Sequence, residues 1–271
     1  MGNHRFRHCG LSAALLLCAA FAAICQAMAQ QHSANPTPVS SAPPTAEQVI
    51  KNLQERNAQR SAALEQYKAT RIYRMQYRGF PSNRDAEMVV DVDYHAPNSK
   101  EFRVVSQTGS KFVIDHVFKK LLEGEQEAAN EENRRHTALS PENYDFTLAG
   151  YESTADGGLY VLDLLPKTKN KFLYRGKIWV DAKDFAVVRI KGEPGKNPSF
   201  WIKKTDIEHR YVKVNNFWLP AENHTESVIR LGGVAVLTIE YKDYKVIKAM
   251  PLRDAANRGG SSKSSDAAAL H

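Results

Sequence analysis

Tyr73-Arg74-Met75-Gln76-Tyr77 and, shortly after, Met88-Val89-Val90-Asp91-Val92-Asp93-Tyr94 return an apolar side chain at every second position. Side chains along a strand alternate between the two faces of a sheet, so this period predicts β-strands with one apolar and one wet face. Phe102 and Val104 continue it, giving three strands in series. The same alternation returns in Tyr160 to Leu165, Phe172 to Val180, Phe185 to Ile190, Ser199 to Val214, Phe217 to Arg230 and Val234 to Val246. Gly157-Gly158, Asp181-Ala182-Lys183, Asn215-Asn216 and Gly232-Gly233 separate them as turn formers, which predicts an antiparallel meander.

One internal segment breaks the period. Phe112, Val113, Ile114, Val117, Phe118, Leu121 and Leu122 recur at helical spacing, so a helix is expected between the two groups of strands. It runs into the polar stretch Glu123 to Arg135, read as solvated, and Pro141 ends any helical run before the next strand at Tyr144.

The ends differ from this middle. Residues 1–29 have a polar, positive start (His4, Arg5, Arg7, His8), a nearly unbroken apolar run from Leu11 to Cys25, and Ala27-Met28-Ala29 as a small-x-small cleavage site. That is the pattern of a secretory signal peptide cut after Ala29, and it places the protein in the periplasm. Residues 30–44 are a Pro-, Ser- and Ala-rich linker. Thr45 and Gln48 form a capping-box pattern, and Ala46, Val49, Ile50 and Leu53 share one face of an opening helix that weakens toward Leu64 and Tyr67. One domain is expected over 45–251. Residues 252–271 hold no aromatic or branched apolar side chain from Arg253 to Ala269 and are expected to be a disordered tail.

Composition narrows the function. Net charge is +7, and Arg5 and Arg7 of the leader account for part of it, so the excess is too mild for a nucleic-acid binder. Cys9, Cys18 and Cys25 all precede the cleavage site, which removes disulfides, zinc-thiolate sites and cysteine catalysis from the exported chain. No G-x-S-x-G, H-E-x-x-H or S-x-x-K motif occurs, Gly109-Ser110-Lys111 lacks the glycine of a phosphate loop, and the histidines have no ligand spacing. No enzyme activity, cofactor or metal is therefore expected. Asp91 and Asp93 read as the wet face of their strand, and Lys167, Lys169 and Lys171 as a solvated hairpin tip or a dock for anionic headgroups or an acidic partner.

What remains is the extent of apolar strand face. Tyr73, Met75, Tyr77, Met88, Val90 and Val92, with Phe102 and Val104, form its first part; Leu162, Leu164, Ile178, Val180, Leu237 and Ile239 form its second. Aromatics and methionines suit the wall of an apolar binding site, and two helices fill so long a face poorly.

The pattern resembles the periplasmic outer-membrane lipoprotein-sorting (LolA-like) proteins. It rests on the leader, the opening helix, Tyr160-Val161-Leu162-Asp163-Leu164-Leu165-Pro166-Lys167, Lys177-Ile178-Trp179-Val180-Asp181 turning into Phe185 to Ile190, and Asn216-Phe217-Trp218-Leu219-Pro220. It covers roughly Thr45 to Pro251. The resemblance implies an α+β fold: a strongly curved antiparallel half-barrel with an N-terminal helix and lid helices on its concave side. It implies a monomeric, non-enzymatic carrier that shelters acyl chains of lipoproteins or lipids, receiving and delivering them through inner- and outer-membrane transfer proteins. The alternative within the same fold is an envelope sensor or interaction module that binds a partner protein. Val113, Val117, Phe118 and Leu121 then belong to the lid. The carriers clasp that lid with an arginine; no single position matches it, and Arg74 and Arg103 are the positions considered. Shelter is needed because each methylene moved into water costs about 0.8 kcal/mol, so one long acyl chain costs on the order of 10 kcal/mol.

Overall fold

A computed structural model describes residues 43–97, 99–128, 131–155 and 157–259. The expected leader, nearly all of the linker and the end of the expected tail lie outside the described residues. All elements below belong to one compact unit that begins at Pro44.

Helix α1 (Ala46–Ala63) starts where the capping box places it: Thr45 Oγ1 accepts the Gln48 amide at 3.3 Å, and Gln48 Oε1 accepts the Thr45 amide at 2.8 Å. Two backbone donors that a helix start leaves orphaned are thus satisfied. The helix stops at Ala63 because Leu64 and Tyr67 belong to the first strand, β1 (Leu64–Arg78). Strands β2 (Arg84–His95) and β3 (Ser99–Gly109) follow. Then come α2, made of Lys111–Val113, a π-helical turn Ile114–Phe118 and Lys119–Ala128, and α3 (Glu131–Thr137). Seven strands complete the sheet: β4 (Tyr144–Thr154), β5 (Gly157–Pro166), β6 (Tyr174–Asp181), β7 (Val187–Pro194), β8 (Ile202–Val214), β9 (Phe217–Ile229) and β10 (Val234–Ala249). Leu252–Gly259, inside the segment expected to be a tail, forms α4, with Ala255 buried beside Ala63, Leu64 and Leu219.

All ten strands form one antiparallel sheet in the order β3-β2-β1-β10-β9-β8-β7-β6-β5-β4. It is curved and unclosed, the α+β half-barrel that the resemblance implies, built on the antiparallel meander that the strand periodicity predicts. First and last strands pair in its interior, Tyr73 opposite Ile239, while β3 and β4 are its edges. Every strand connection but one joins neighbours. The exception is the segment from Gly109 to Tyr144, which carries α2 and α3 from one edge to the other. Gly109 makes the sharp exit possible: its φ is +90°, and a Cβ there would meet the Asp85 carbonyl at 2.3 Å.

Register fixes which residues share a face. The pairs Met88–Tyr73, Tyr73–Ile239, Ile239–Asn223, Asn223–His209, His209–Ile190, Ile190–Ile178 and Ile178–Leu162 make one row across the sheet. Both helices pack on this face. Val49, Ile50 and Leu53 of α1 bury Leu162, Leu164, Ile178 and Val180. Val113, Ile114 and Phe118 of α2 bury Tyr73, Met88, Val90, Val92 and Ile239. The opposite face is a lattice of ion pairs, including Arg74 with Glu87 and Glu240, Arg103 with Asp91, and Lys68 with Asp93. That is the wet side read from Asp91 and Asp93.

Candidate ligand-binding face and its latch

The fourteen apolar residues singled out in the sequence fall into two environments. Leu162, Leu164, Ile178 and Val180, at 0–3% exposure, are packed under α1. Tyr73, Met88, Val90, Val92 and Ile239 are buried under the first half of α2. Around that second cluster the cover is incomplete. Met75, Phe102 and Leu237 on the strands, and Val117, Leu121 and Leu122 on α2, are only half-buried. Val104, next to Phe102 on the same edge strand, is exposed. Tyr77 is half-buried at the strand end, its hydroxyl donating to the carbonyls of Phe80 and Gly232. Of the four residues expected in a lid, Val113 and Phe118 are buried, whereas Val117 and Leu121 are not.

Between the two helices the floor changes character. At the centre of the row lie His209 and Asn223, with Tyr174 edge-on to the His209 ring at 5.4 Å and Asn223 donating to Tyr241 Oη at 2.9 Å. Neither His209 nor Asn223 belongs to a core cluster among the described residues. The concave face is therefore apolar at both flanks and polar in the middle. Burial pushes the Tyr174 hydroxyl up to about 12, so it is a neutral hydrogen-bonding group at any physiological pH.

A charged cluster ties the distal half of α2 to the sheet. Arg71 occupies an inward position of β1 between Ala69 and Tyr73, and its side chain is only 4% exposed. Its guanidinium donates to the Glu125 carboxylate of α2 and, at 3.3 Å, to Tyr73 Oη. It also lies over the rings of Tyr241 and Phe102, at 4.9 and 5.4 Å from their centroids. Lys100 of β3 approaches the second Glu125 oxygen at 3.4 Å. Desolvation alone would push the Glu125 carboxyl up; the Lys100 and Arg71 charges outweigh it and hold the group below its ordinary 4.5. Burial likewise works against the Arg71 cation, yet the adjoining carboxylate keeps it firmly charged. Burial pulls Lys100 down despite the same carboxylate. Three elements, β1, β3 and α2, are pinned at one carboxylate.

Arg74 and Arg103 do not take this part, because they lie on the ion-paired outer face. Sequence reading missed all three residues of the latch. Arg71 and Lys100 carry a legible signal, since each is a cation on the apolar parity of its strand (Ala69, Arg71, Tyr73; Lys100, Phe102, Val104). Glu125 carries none: it sits in a stretch whose composition reads as solvated.

A second buried cation fixes the other helix. Arg60, near the end of α1, donates to the carbonyls of Asp184 at 2.9 Å and Phe185 at 2.8 Å and to Asn57 Oδ1 at 2.6 Å. Burial pulls its guanidinium down to about 10 against the attraction of Asp184, so it too remains charged. Asp184 is held in turn by Trp218 Nε1 at 2.9 Å and Lys213 at 2.5 Å. Helix α1 is thereby anchored to the β6–β7 turn as a fixed cover, whereas the distal half of α2 is held, among the described residues, at the Glu125 carboxylate.

No group of three or more His, Asp or Glu side chains placed to hold a metal occurs among the described residues. None of the described helices is long and apolar enough to cross a membrane. No family model and no curated protein matches the chain. Solved structures do resemble it. A LolA superfamily protein from Nitrosomonas europaea is 13% identical over 78% of this chain and 97% of its own, with a TM-score of 0.33. A putative outer membrane lipoprotein-sorting protein domain from Vibrio parahaemolyticus is 12% identical over 79% and 98%, with a TM-score of 0.37. The MucA/MucB complex of Pseudomonas aeruginosa contains a chain 11% identical over 83% and 97%, with a TM-score of 0.23. The first two carry the family name to which the sequence pattern led. At these values the likeness concerns sheet architecture, and no function follows from it.

Proposed function

We propose that the protein is a non-enzymatic periplasmic carrier that shelters acyl chains of lipoproteins or lipids on the concave face, under α2. The observation that supports this best is the latched lid: a helix whose distal half rests on half-buried apolar residues and is fastened where the Glu125 carboxylate meets Arg71 and Lys100. In this reading Met75, Tyr77, Phe102, Val104 and Leu237, with Val117 and Leu121 of the lid, contact the acyl chain. Tyr73, Met88, Val90, Val92 and Ile239, with Val113 and Phe118, back them from behind. Leu162, Leu164, Ile178 and Val180 form the far wall under α1. The polar floor at His209 and Asn223 suits the head of the cargo.

Release follows from the same arrangement. A lid that closes on itself when empty competes with cargo for the same apolar surface, which lowers net affinity enough for delivery. Native mass spectrometry of protein isolated from its own envelope tests the proposal: co-purified lipid or lipopeptide is expected, lost in a Met75→Asp/Leu237→Asp variant. Protein that emerges free of adducts, and that gains none when offered diacyl lipid, refutes it. Edge strand β3 favours a second reading, partner binding by strand addition, since both Val104 and Val105 are exposed there. A pull-down from envelope extract that survives the Met75→Asp/Leu237→Asp change would support that one.

A further inference from the structure

In an antiparallel sheet alternate connections share one end. The β1–β2, β3–α2, β5–β6, β7–β8 and β9–β10 connections all emerge at one rim of this sheet. That rim carries five of the eleven large apolar side chains exposed among the described residues: Phe80 and Phe200 at 76%, Leu231 at 68%, Trp201 at 55% and Phe112 at 52%. The three most exposed of the eleven are among them.

These side chains are presented by fixed backbone. Tyr77 Oη donates to the Phe80 carbonyl at 2.6 Å and the Gly232 carbonyl at 3.0 Å, which ties the β1–β2 loop to the β9–β10 turn. Arg230 ties that turn to the β7–β8 loop: its Nε donates to the Phe200 carbonyl at 2.7 Å and its amide to the Trp201 carbonyl at 2.8 Å. The loops that carry Phe80, Phe200, Trp201 and Leu231 are thus tied to one another, and all four side chains are exposed.

Charge at this rim has one dominant sign. The connecting residues 79–83, 110, 167–173, 195–201 and 230–233 hold Lys167, Lys169, Lys171, Lys196 and Arg230 and no acid; the segment leading into β4 adds Glu142. At the opposite rim, residues 96–98, 155–156, 182–186 and 215–216 hold Lys183 against Asp156 and Asp184. Lys169, Lys171 and Lys196, together with Asn170, Asn197 and the Phe172 ring, line an open recess of about 330 Å³ at this rim. Arginine also stands over two of the exposed rings, Arg84 at 4.7 Å from Phe112 and Arg230 at 5.3 Å from Phe200.

Aromatic rings interleaved with cations are the chemistry of the bilayer interface. The rings settle at the level of the headgroups, and Lys and Arg meet anionic phosphate. We infer that this rim docks the protein on the surface of an anionic phospholipid bilayer, with Phe80, Phe200, Trp201 and Leu231 entering the interface and the lysine-lined recess taking headgroup phosphate. This goes beyond the carrier reading and stands without it, since docking needs no cargo in the concave face.

The test is co-sedimentation of the full chain with protein-free vesicles, either phosphatidylcholine alone or about three parts phosphatidylcholine to one part phosphatidylglycerol. Binding to the anionic vesicles, weakened at about 0.5 M salt and reduced by about tenfold or more in a Phe200→Ser/Trp201→Ser variant and in Lys196→Glu, is expected. A Val212→Ser/Ile247→Ser control, which removes exposed apolar side chains elsewhere, binds like the unsubstituted chain, so any contribution of the leader is common to all. Trp201 emission shifts to the blue on the same vesicles, and a Trp201→Phe variant loses the shift; circular dichroism verifies that the variants fold. Binding unaffected by the rim substitutions, or lost equally in the control, overturns the inference. So does rim-dependent retention on native envelope membranes without binding to protein-free vesicles, which assigns the rim to a protein receptor.

Discussion

Glu125→Gln removes the charge that holds α2 while keeping the shape of its side chain. Breaking a fully buried ion pair costs about 3–5 kcal/mol, because it leaves the other charge desolvated and unpaired. Here the cost is smaller. The Glu125 side chain is 27% exposed, glutamine still accepts a hydrogen bond from Arg71, and Arg71 keeps the Tyr73 hydroxyl and two aromatic faces. About 2 kcal/mol remains, a factor of about 30 in the equilibrium between a fastened and a released second half of α2. The effect is local, because Phe118, Ile114 and Val113 hold the first half of α2 in the core while the π turn Ile114–Phe118 gives the second half a place to pivot. Hydrogen exchange reads it directly: amides of Lys119–Ala128 lose about 30-fold protection, and those of β5 and β6 are unchanged. Replacing both partners, Arg71→Met with Glu125→Met, recovers much of the protection because neither charge is left alone. Unchanged exchange in α2, or an equal loss across the sheet, refutes the latch.

The same bond sets a pH response. Glu125 is held below its ordinary 4.5 in the folded protein, so its contribution is complete above that value and is lost as pH falls through the lower folded value; α2 protection stays level from neutrality down to about 4.5, then declines, and Glu125→Gln flattens the decline. Leu162→Ala empties part of the sealed core under α1 and costs about 3 kcal/mol in chemical denaturation, with cargo affinity unchanged, whereas Leu237→Ala costs less stability and weakens cargo binding. Thr45→Ala removes the cap of α1 and costs about 1 kcal/mol, read as a lower thermal midpoint. Gly176→Ala drives a Cβ to 2.2 Å from the Lys191 carbonyl in a backbone region that L residues rarely adopt, and destabilises by about 2 kcal/mol or more in the same assay.

Strand periodicity was the part of the fold most legible in the sequence. Tyr73 to Tyr77 and Met88 to Tyr94 lie within β1 and β2 with their apolar residues inward, and the turn pairs Asn215-Asn216 and Gly232-Gly233 stand where chain direction reverses. The capping box at Thr45 marked the first helical residue. Boundaries were less legible where two periods overlap: Leu64 and Tyr67 fit either a helical face or the apolar side of a strand, and their burial against Ala63, Tyr94 and Leu219 decides for the strand. Ala255 is small enough to be buried with Leu252 as its one branched neighbour in α4, which composition does not reveal. The latch was hidden because it is assembled from three distant segments. A cation at an inward strand position signals that a partner must exist, but pairing through space chooses Glu125 from the several acids between Glu123 and Glu132. The polar floor was hidden for a like reason, since His209 and Asn223 become neighbours of apolar rows only through register.

The segment leaving β3 at Gly109 and entering β4 at Tyr144 joins the two borders of an open trough, and its contour length is finite. Under the carrier proposal, spreading the trough around a bulkier load draws this drawstring toward its limit and loads the place where it is stitched to the wall, Arg71 with Glu125; a thick occupant would then loosen its own closure, and a slender one would leave the knot tied.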